Sequence, residues 1–441
     1  MSVANQSADT FEAIVIGAGV AGLAAARTLA EAGRRVALLE ARDRVGGRIH
    51  TVQAIQGDLP VELGAEFIHG LPEELIDLVD EAGLTRFELD GDSRCVDPGR
   101  GTGRLEPCGD QHEVHKLFDE LGHTQLSPDK RDLSFSEFLS RLKDQRKVGP
   151  EAAVWATNYV EGFNAADADR ISIRALEKQQ AAEDAISADR LFRVVEGYAR
   201  VPEYLLWRFR EAGGELFRSM AVRSVAWEPG QVEVATETGR VLMARSAILT
   251  LPLGILQARR VAFSPQPMEI LKAADSLVMG AAARVVYEFD STFWKQFVSL
   301  KGVSFFFAPE ATPPTWWTTS PKPGSTLTGW IAGRKTKRLE MDLLPETGLE
   351  TLSFMLGSTL HEVRKHLLRW HMHDWQIDPY SLGAYTYVPR GAIDASDQLS
   401  QPVAQTLFFA GEHTDTSGHW GTVHGALRSG CRAARQLLAQ P

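Results

Sequence analysis

The chain has 441 residues, which is more than one hydrophobic core usually supports, so we expect two domains. Hydrophobic residues make up 44% of the sequence and charged residues 24%, which is typical of soluble globular proteins and argues against fibrous, disordered and membrane classes. The formal net charge of -10 comes from interleaved acidic and basic residues, so no nucleic-acid-binding surface is expected.

The cysteines and the first residues bear on the cellular compartment. Cys95, Cys108 and Cys431 are too few and too scattered to predict a disulfide framework, and they favour a reducing compartment. The first ten residues lack the basic and apolar regions of a signal peptide, and no apolar run is long enough to cross a bilayer. We therefore expect a cytoplasmic protein without a membrane partner. The sequence predicts no oligomeric state.

The first forty residues predict a strand, a helix and a second strand. Residues 12–16 form a short apolar run, residues 20–32 are rich in helix formers and stop at Gly33, and RRVALLE follows as a second apolar run. A strand, a helix and a strand within about thirty residues form a βαβ unit, whose two strands are parallel.

A glycine motif lies between the first strand and the helix. Gly17 permits the sharp turn, Gly19 lets the backbone approach a pyrophosphate, and Gly22 allows the helix to pack closely on the sheet. The amides at the helix N-terminus favour the negative phosphates. Glu40, at the end of the second strand, can accept hydrogen bonds from ribose hydroxyls. The motif predicts a dinucleotide without a 2'-phosphate, but it does not separate FAD from NAD.

The remaining patterns predict an α/β fold with a second domain of the α+β type. Apolar positions recur at helical spacing between residues 105 and 212, alternation typical of strands returns after residue 213, and a strand and an amphipathic helix follow near residue 407. We expect a Rossmann-like domain from residues 10–85, 213–262 and 396–441. It is interleaved with a substrate-binding domain of residues 86–212 and 263–395, with a helical insertion at 105–212 and a sheet-rich part at 263–395.

The segment EARDRVGGRIHTV, residues 40–52, resembles the second fingerprint of the flavin amine oxidase superfamily. That superfamily includes monoamine oxidases, polyamine oxidases and lysine-specific histone demethylases. The resemblance implies that the dinucleotide is FAD and that Arg42, Gly47 and Arg48 lie against it. A guanidinium can bind a phosphate through two parallel hydrogen bonds, which suits this role.

The segment VELGAEFIHG, residues 61–70, resembles the flavin-ring loop of the same family. The resemblance implies that Gly64, Ala65, Glu66 and Phe67 contact FAD. It places His69 in the substrate pocket, where animal polyamine oxidases also have a histidine beside the path of the amine. An isolated histidine is more often a structural residue, so both roles stay open for His69.

Further downstream, MAVRSV, HDWQIDPYSLGAYTYVPRGA and LFFAGEHTDTSGHWGTVHGALRSG resemble segments of polyamine oxidases and histone demethylases. The resemblance implies that Val222 meets the adenine and that Glu412, next to Gly411, binds the ribityl chain. It implies that Trp375 and Tyr385 lie near the flavin ring. The amides of Thr422 and Val423, at a helix N-terminus, would stabilise negative charge on the reduced ring.

Three positions depart from the family pattern. Covalent amine oxidases have a cysteine where this chain has Ala384, so FAD is expected to bind non-covalently. The second aromatic residue of the monoamine oxidase cage is Thr422 here. Arg284 stands where polyamine oxidases and demethylases have a lysine that reaches flavin N5 through a water, and an arginine does not simply replace a lysine at a tight site.

The resemblance implies oxidation of an amine C–N bond to an imine by hydride transfer to flavin N5. Hydrolysis of the imine follows, and O2, giving H2O2, or a protein electron acceptor reoxidises the flavin. We expect the candidate catalytic residues to be Tyr385, Thr422, Arg284, His69 and Trp375. The partner is a small-molecule amine that the sequence does not identify.

Two alternatives keep the FAD site but change the chemistry. Desaturases and isomerases of non-amine substrates share the fingerprint, and a flavoprotein can hold FAD for structure alone. A chromatin demethylase is disfavoured because the sequence has no additional N-terminal helical domain and no coiled-coil insertion. His371 and His373 lie two residues apart, but no third ligand is evident, so no metal is expected.

Overall fold

A computed structural model describes residues 9–55, 59–96, 105–108, 131–296 and 302–440. Residues 109–130 of the predicted helical insertion lie outside this description. The helices are α1 (Val20–Glu31), α2 (Glu73–Glu81), α3 (Phe135–Asp144), α4 (Pro150–Asn164), α5 (Ile173–Asp184), α6 (Arg200–Glu211), α7 (Leu253–Gln257), α8 (Met268–Ser276), α9 (Leu344–Leu356), α10 (Leu360–His366), α11 (Ala395–Leu399) and α12 (Val423–Leu438).

The strands of the described residues form two large sheets and three small ones. They are β1 (Asp9–Ile16), β2 (Val36–Leu39), β3 (Thr51–Val52), β4 (Val61–Glu62), β5 (Ile68–His69), β6 (Arg86–Glu88), β7 (Asp92–Val96), β8 (Leu105–Pro107), β9 (Leu191–Val194), β10 (Glu215–Phe217), β11 (Val222–Glu228), β12 (Gln231–Thr236), β13 (Val241–Leu249), β14 (Ala262–Ser264), β15 (Val278–Met279), β16 (Ala282–Phe289), β17 (Val303–Phe307), β18 (Thr315–Trp317), β19 (Thr326–Ala332), β20 (Leu367–Met372), β21 (Thr386–Tyr387) and β22 (Leu407–Phe409).

The first large sheet has eight strands in the order β10-β2-β1-β13-β12-β11-β14, and β22 also pairs with β13. Strands β10, β2, β1, β13 and β22 run parallel. The predicted βαβ unit is present, because β1 and β2 are parallel and α1 connects them. The carboxyl ends of β1 and β2 therefore lie side by side, next to the N-terminus of α1.

Helix α1 owes its position to small residues. Nine of its 12 residues are buried, and most of them are alanine or glycine, so neighbouring helices approach closely. At the crossing with α12, a Cβ on Gly430 would lie 2.1 Å from the carbonyl oxygen of Ala21, so only glycine fits there. This packing holds the N-terminus of α12 in place at the sheet.

The second large sheet has seven strands in the order β20-β16-β19-β18-β17-β7-β8. All eight residues of β16 are buried, as expected for a central strand covered on both faces. One face of this sheet packs against α9 in a core rich in aromatic residues. Helices α3, α4 and α5 enclose a separate small core beside it.

The predicted helical insertion contains strands as well as helices. Leu105–Pro107 is β8 of the second sheet, and Leu191–Val194 is β9, which pairs with β5 and β6. Side chains of β9 and α6 belong to the same core as α1. The domain boundaries stay a prediction, and we propose to assign residues 191–212 to the Rossmann-like domain.

The structure contains a disulfide, although the cysteine pattern predicts no disulfide framework and favours a reducing compartment. Cys95 and Cys108 form a disulfide with a Cα–Cα distance of 4.8 Å, whereas Cys431 on α12 is free. The physical reason is the antiparallel pairing of β7 with β8, which places Cys95 opposite Glu106. Within the described ranges, none of the helices has the length and apolar character that crossing a bilayer requires.

Candidate active site

A single continuous cavity of about 2060 Å³ is lined by residues of both large sheets. Ligand pockets commonly measure roughly 300–1,000 Å³, so this cavity has room for a dinucleotide and a substrate together. Every residue predicted for the site lines it except Gly22. We call the part around Gly17, Gly19 and Glu40 the glycine end. We call the opposite part the aromatic end, which is lined by Phe67, Phe163, Trp317, Trp330 and Tyr385.

The glycine turn has the geometry that a pyrophosphate requires. Gly17 has a φ of +104°, which favours glycine, and a Cβ on Gly22 would lie 1.8 Å from the carbonyl oxygen of Gly17. A Cβ on Gly19 would meet no protein atom within 4 Å, because this residue faces the open cavity. Gly22 therefore serves the packing of α1, and Gly19 leaves space for a ligand at the helix N-terminus.

Glu40 is held rigidly at this end of the cavity. Its carboxylate accepts hydrogen bonds from the backbone N–H groups of Ala18 and Arg42, each at 2.8 Å. Burial raises the pKa of Glu40, and the two N–H groups oppose that shift. The remaining lone pairs of the carboxylate can accept hydrogen bonds from hydroxyls, as predicted for a ribose.

The guanidinium of Arg42 contacts other side chains of the protein and is not free to bind a phosphate. Its guanidinium forms an ion pair with Asp378 and donates a hydrogen bond to the hydroxyl of Ser381 at 3.0 Å. Asp378 also contacts the ring of His373. Although burial by itself would raise the pKa of Asp378, His373 and Arg42 lower it to about 2. Arg42 therefore supplies positive charge at the glycine end from a fixed position.

Arg48 and Glu412 join three segments of the chain. Arg48 donates to a carboxylate oxygen of Glu412 and to the carbonyl of Ala384, both at 2.8 Å. Glu412 also accepts from the N–H of Gly421 at 2.9 Å and from the hydroxyl of Thr386 at 3.1 Å. Burial would raise the pKa of Glu412, but Arg48 and these donors outweigh it and lower the pKa. Glu412 is thus an anion at the centre of the cavity wall.

The N-terminus of α12 points at the same cavity. Thr422 is its N-cap: the hydroxyl accepts from the N–H of Gly425 at 3.0 Å and donates to the carbonyl of His419 at 2.8 Å. The hydroxyl already donates one hydrogen bond and accepts another. We therefore expect Thr422 to influence the pocket through its backbone and its small size. The first turn carries no acidic residue, so the helix end is free to stabilise a negative ligand.

The aromatic end is apolar and tightly held. The hydroxyl of Tyr385 donates to the carbonyl of Phe163 at 2.7 Å, and its ring stacks on Trp330 with centroids 6.5 Å apart. The indole N–H of Trp375 donates to the carbonyl of Leu63 at 2.9 Å. Because these polar atoms are satisfied by the backbone, the rings present apolar surface to the cavity.

Glu66, predicted as a flavin contact, is engaged with two arginines. Its carboxylate oxygens lie 3.1 Å from Nε of Arg193 and 3.2 Å from Nη1 of Arg284. The indole N–H of Trp317 also donates to it at 3.1 Å. The side chain of Glu66 therefore neutralises a buried charge cluster. Sequence reasoning missed Arg193, because nothing near residue 193 points to the cavity.

Arg284 is buried in the wall of the aromatic end. Nη1 donates to the carbonyl of Glu62 at 2.8 Å, and the guanidinium lies over the rings of Trp317 and Trp330, at 5.2 and 5.6 Å from their centroids. Nε has no hydrogen-bond partner among the described residues. Burial lowers the pKa of Arg284, while Glu66 and Glu62 raise it. The cation is thus fixed beside the cavity.

His69 lies between the rings of Phe163 and Phe67, at centroid distances of 5.4 and 6.3 Å. Burial lowers the pKa of His69 to about 4, so the imidazole is neutral at pH 7. The structure thus places His69 at the aromatic end, as predicted, but its role in the reaction stays a prediction.

Sequence reasoning missed several other residues that line the cavity. They come from α4, from α5, from the loop before α12 and from the first turn of α12: Glu151, Tyr159, Phe163, Glu183, His419 and His424. Helical periodicity in the sequence gives no sign of which side chains will face a distant sheet. In the part of the chain that the structure describes, no group of three or more histidine, cysteine or acidic side chains has the arrangement of a metal site.

Comparisons with known proteins identify the family to which the chain belongs. The pattern of the family described as "Flavin containing amine oxidoreductase" matches residues 20–438. The chain is 28% identical to Polyamine oxidase 4 of Oryza sativa subsp. japonica, over 98% of this chain and 90% of that protein. It is 27% identical to Lysine-specific histone demethylase 1 homolog 2 of the same plant, over 96% of this chain and 56% of that protein.

Solved structures share the fold. Wild-type putrescine oxidase bound to putrescine superposes with a TM-score of 0.82 at 23% identity, over 98% of this chain and 99% of the other. Cyclohexylamine oxidase from Brevibacterium oxydans IH-35A gives a TM-score of 0.79 at 22% identity, over 97% and 98% of the two chains. The predicted α/β fold class is confirmed. With the match along residues 20–438, the chain belongs to the family of flavin-containing amine oxidoreductases and is an enzyme that oxidises amines with FAD.

Proposed function

We propose that the substrate is an aliphatic diamine or polyamine whose reacting nitrogen enters the aromatic end of the cavity. The observation that carries this proposal is Glu183, a half-buried carboxylate of α5 that lines the cavity and has no cationic partner among the described residues. The names of the relatives, polyamine oxidase and putrescine oxidase, support the same substrate class.

Glu183 has the properties of a group that binds a second ammonium. One carboxylate oxygen accepts from the side-chain amide of Gln179 at 2.7 Å, which fixes its position. Burial raises the pKa of Glu183 to about 7, so an ammonium brought beside it would favour the charged carboxylate. The cavity is also lined by the acidic residues Glu151, Asp184 and Asp189. These charges would attract a dication more strongly than a monoamine.

We propose that the residues of the glycine end hold FAD non-covalently. The pyrophosphate would lie at Gly17, Gly19 and the N-terminus of α1, with the ribose at Glu40. The remaining predicted contacts would come from Arg42, Gly47, Arg48, Gly64, Ala65, Glu66, Phe67, Val222, Trp375, Gly411, Glu412, Thr422 and Val423. The fit is supported by the open space at Gly19 and by the free N-terminus of α12.

FAD, when bound, supplies a hydride acceptor for the carbon next to the nitrogen. The protein would position the substrate and exclude water from the site. Tyr385 and Trp330 provide an apolar wall, and Thr422 leaves room beside it. His69, kept neutral by burial, would not repel a cationic substrate on its way in. The resulting imine would then be hydrolysed by water.

Anaerobic titration with a series of amines tests the substrate class. We expect diamines and polyamines to bleach the flavin at lower concentrations than monoamines of equal length. Glu183→Gln should raise KM for a diamine roughly tenfold, the scale of one lost ion pair at a half-buried site, and leave KM for a monoamine unchanged. Glu177→Gln is the matched control, because Glu177 lies on the same helix but does not line the cavity. Equal KM values for monoamines and diamines would refute the proposal.

We propose O2, giving H2O2, or a protein as the electron acceptor. Admission of air after anaerobic reduction distinguishes the two, because only an oxidase is reoxidised at a catalytically competent rate. Arg284→Lys should change that rate if the cation at this position assists oxygen. An unchanged rate would mean that Arg284 takes no part in the reoxidation of the flavin.

The Cys95–Cys108 disulfide bears on localisation. Disulfides persist mainly in oxidising compartments, so this bond favours such an environment over the cytoplasm that the sequence predicts. Mass spectrometry of the protein alkylated in its native host decides whether the bond is present there.

A further inference from the structure

Helix α4 presents a row of aromatic residues to the cavity. Trp155, Tyr159 and Phe163 follow one another at intervals of four residues, so they lie on one face of the helix, and all three line the cavity. Another face of α4 packs into a core through small residues such as Ala153 and Ala156. None of the three aromatic residues is buried by the protein, so ring surface is left for a ligand.

A second aromatic wall comes from β17 of the large sheet. Phe305 and Phe307 lie two residues apart on this strand, so their side chains are on the same face, and the rings stack at a centroid distance of 6.4 Å. Both residues line the cavity. The ring of Phe307 contacts the ring of Trp155 on α4 at a centroid distance of 6.4 Å. The strand therefore lies across the cavity from the helix.

Ring contacts join the two walls at their other end as well. Phe67 contacts Phe305 at a centroid distance of 6.1 Å, and it contacts His69 at 6.3 Å. His69 in turn contacts Phe163 at 5.4 Å, so the row of contacts returns to α4. We call the space between the two walls the aromatic groove, which is defined by Trp155, Tyr159, Phe163, Phe305 and Phe307.

The aromatic groove begins beside the position where we expect the reaction. The hydroxyl of Tyr385, which is predicted to lie near the flavin ring, donates to the carbonyl of Phe163 at 2.7 Å. Tyr159 lies about one helical turn farther along α4, within electrostatic reach of Glu183, and Trp155 lies about two turns farther. At a rise of about 1.5 Å per residue, the row from Phe163 to Trp155 is about 12 Å long.

The dimensions of the groove suit an extended hydrocarbon chain. Such a chain advances about 1.2 Å per bond, since three backbone bonds span at most about 3.6 Å. One interval of four residues on α4 therefore corresponds to about five carbons, and the whole row corresponds to about ten. Each methylene that leaves water for an apolar surface strengthens binding by up to about fourfold.

We propose that the aromatic groove binds the hydrocarbon chain of the substrate, which makes primary alkylamines of up to about ten carbons a further substrate class of this enzyme. Phe163, Tyr159 and Trp155 contact successive parts of the chain and set the specificity for its length. The inference rests on amine oxidation and does not depend on the diamine preference proposed above. Glu183 acts on a second charge, whereas the groove acts on the carbons.

A series of n-alkylamines tests the groove. The dissociation constant of each amine is obtained from the rate of anaerobic flavin reduction in the FAD-loaded enzyme, measured by stopped flow. The ammonium pKa is about 10.4 throughout the series, so only the apolar chain varies. We expect the dissociation constant of the wild-type enzyme to fall by up to about fourfold per carbon and the fall to stop near about ten carbons. A dissociation constant that does not depend on chain length would overturn the proposal without any variant.

Two variants test where along the groove the chain lies. Tyr159→Ala should weaken the binding of amines long enough to reach the second turn, and Trp155→Ala should weaken only amines about five carbons longer. Trp155→Phe keeps an aromatic ring and should retain most of the binding of long amines. Trp207→Ala is the matched control, because Trp207 is an exposed tryptophan of α6 that does not line the cavity. Equal losses for short and long amines would overturn the assignment and indicate a general effect on the structure.

The same measurements separate this inference from the diamine preference. Octylamine and the diamine of the same length should both occupy the groove, but only the diamine brings a second ammonium to Glu183. Equal dissociation constants for the two, with a clear dependence on chain length, would refute the role of Glu183 and support the groove. A preference for the diamine without any dependence on chain length would support Glu183 and refute the groove.

Discussion

The two ends of the cavity are built in different ways. The glycine end consists mostly of backbone, and its central residues, Gly17 to Glu40, lie in one βαβ unit. The aromatic end consists of side chains from α4, from strands of the second sheet and from the segments at Phe67 and Tyr385, far apart in the sequence. A site made of backbone tolerates few residue types at each position. The geometry of a site made of packed side chains depends instead on how the whole fold places them.

The largest expected effect is at the glycine end. Substitutions at two glycines there distinguish an effect on folding from an effect on cofactor binding alone. Gly22→Ala should lose FAD and destabilise the protein by about 1–3 kcal/mol or more, because its Cβ would collide with the carbonyl of Gly17. Gly19→Ala should leave the unfolding free energy of the apoprotein within about 0.5 kcal/mol, since Gly19 has φ -73° and no nearby protein atom, yet it should weaken FAD binding. Flavin absorbance after gel filtration and urea unfolding of the apoproteins measure both quantities. Normal FAD content in Gly19→Ala would contradict the assignment.

At the aromatic end, Glu66→Gln should reduce the free energy of unfolding by about 3–5 kcal/mol, because it leaves two buried guanidiniums without a carboxylate. The exposed pair of Glu269 and Lys272 provides the control, and Glu269→Gln should not change stability measurably. Chemical denaturation with FAD bound measures the difference. If both variants unfold at the same denaturant concentration, the cluster is not a source of stability.

The smallest effect concerns the helix that links the two ends. Thr422→Ala and Thr359→Ala each remove an N-cap, and each should cost about 1 kcal/mol. Only Thr422→Ala should also lower the reduction potential of the flavin, because loss of the cap loosens the first turn of α12, and only α12 begins at the cavity. Potentiometric titration of both variants tests this. Equal potentials would mean that the helix end does not act on the flavin.

The difference between the two ends also explains what could be predicted from the sequence. The βαβ unit and the glycine turn are local, so their residues were identifiable, and α1 begins at Val20 as expected. All predicted site residues except Gly22 line the cavity, because the family resemblance covers segments that meet there. The roles of most of these side chains stay predictions.

What could not be predicted depends on contacts between distant segments. Glu66 lies in a motif expected to touch the flavin, but its charge is matched by Arg193 and Arg284, which only the tertiary fold brings together. Glu183 became a candidate only when its helix was placed against the cavity. The Cys95–Cys108 bond likewise depends on the pairing of two short strands.

The position of α12 has a consequence for how the enzyme is made. The N-terminus of this helix and the glycine turn face one cavity, but they are separated by about 400 residues of sequence. Translation at roughly 5–20 residues per second puts about 20–80 s between their emergence from the ribosome. During this interval the nascent chain has a dinucleotide turn without the helix that completes its site. Tight flavin loading is therefore a late event in biosynthesis, and a polypeptide released before residue 423 should accumulate without its yellow cofactor.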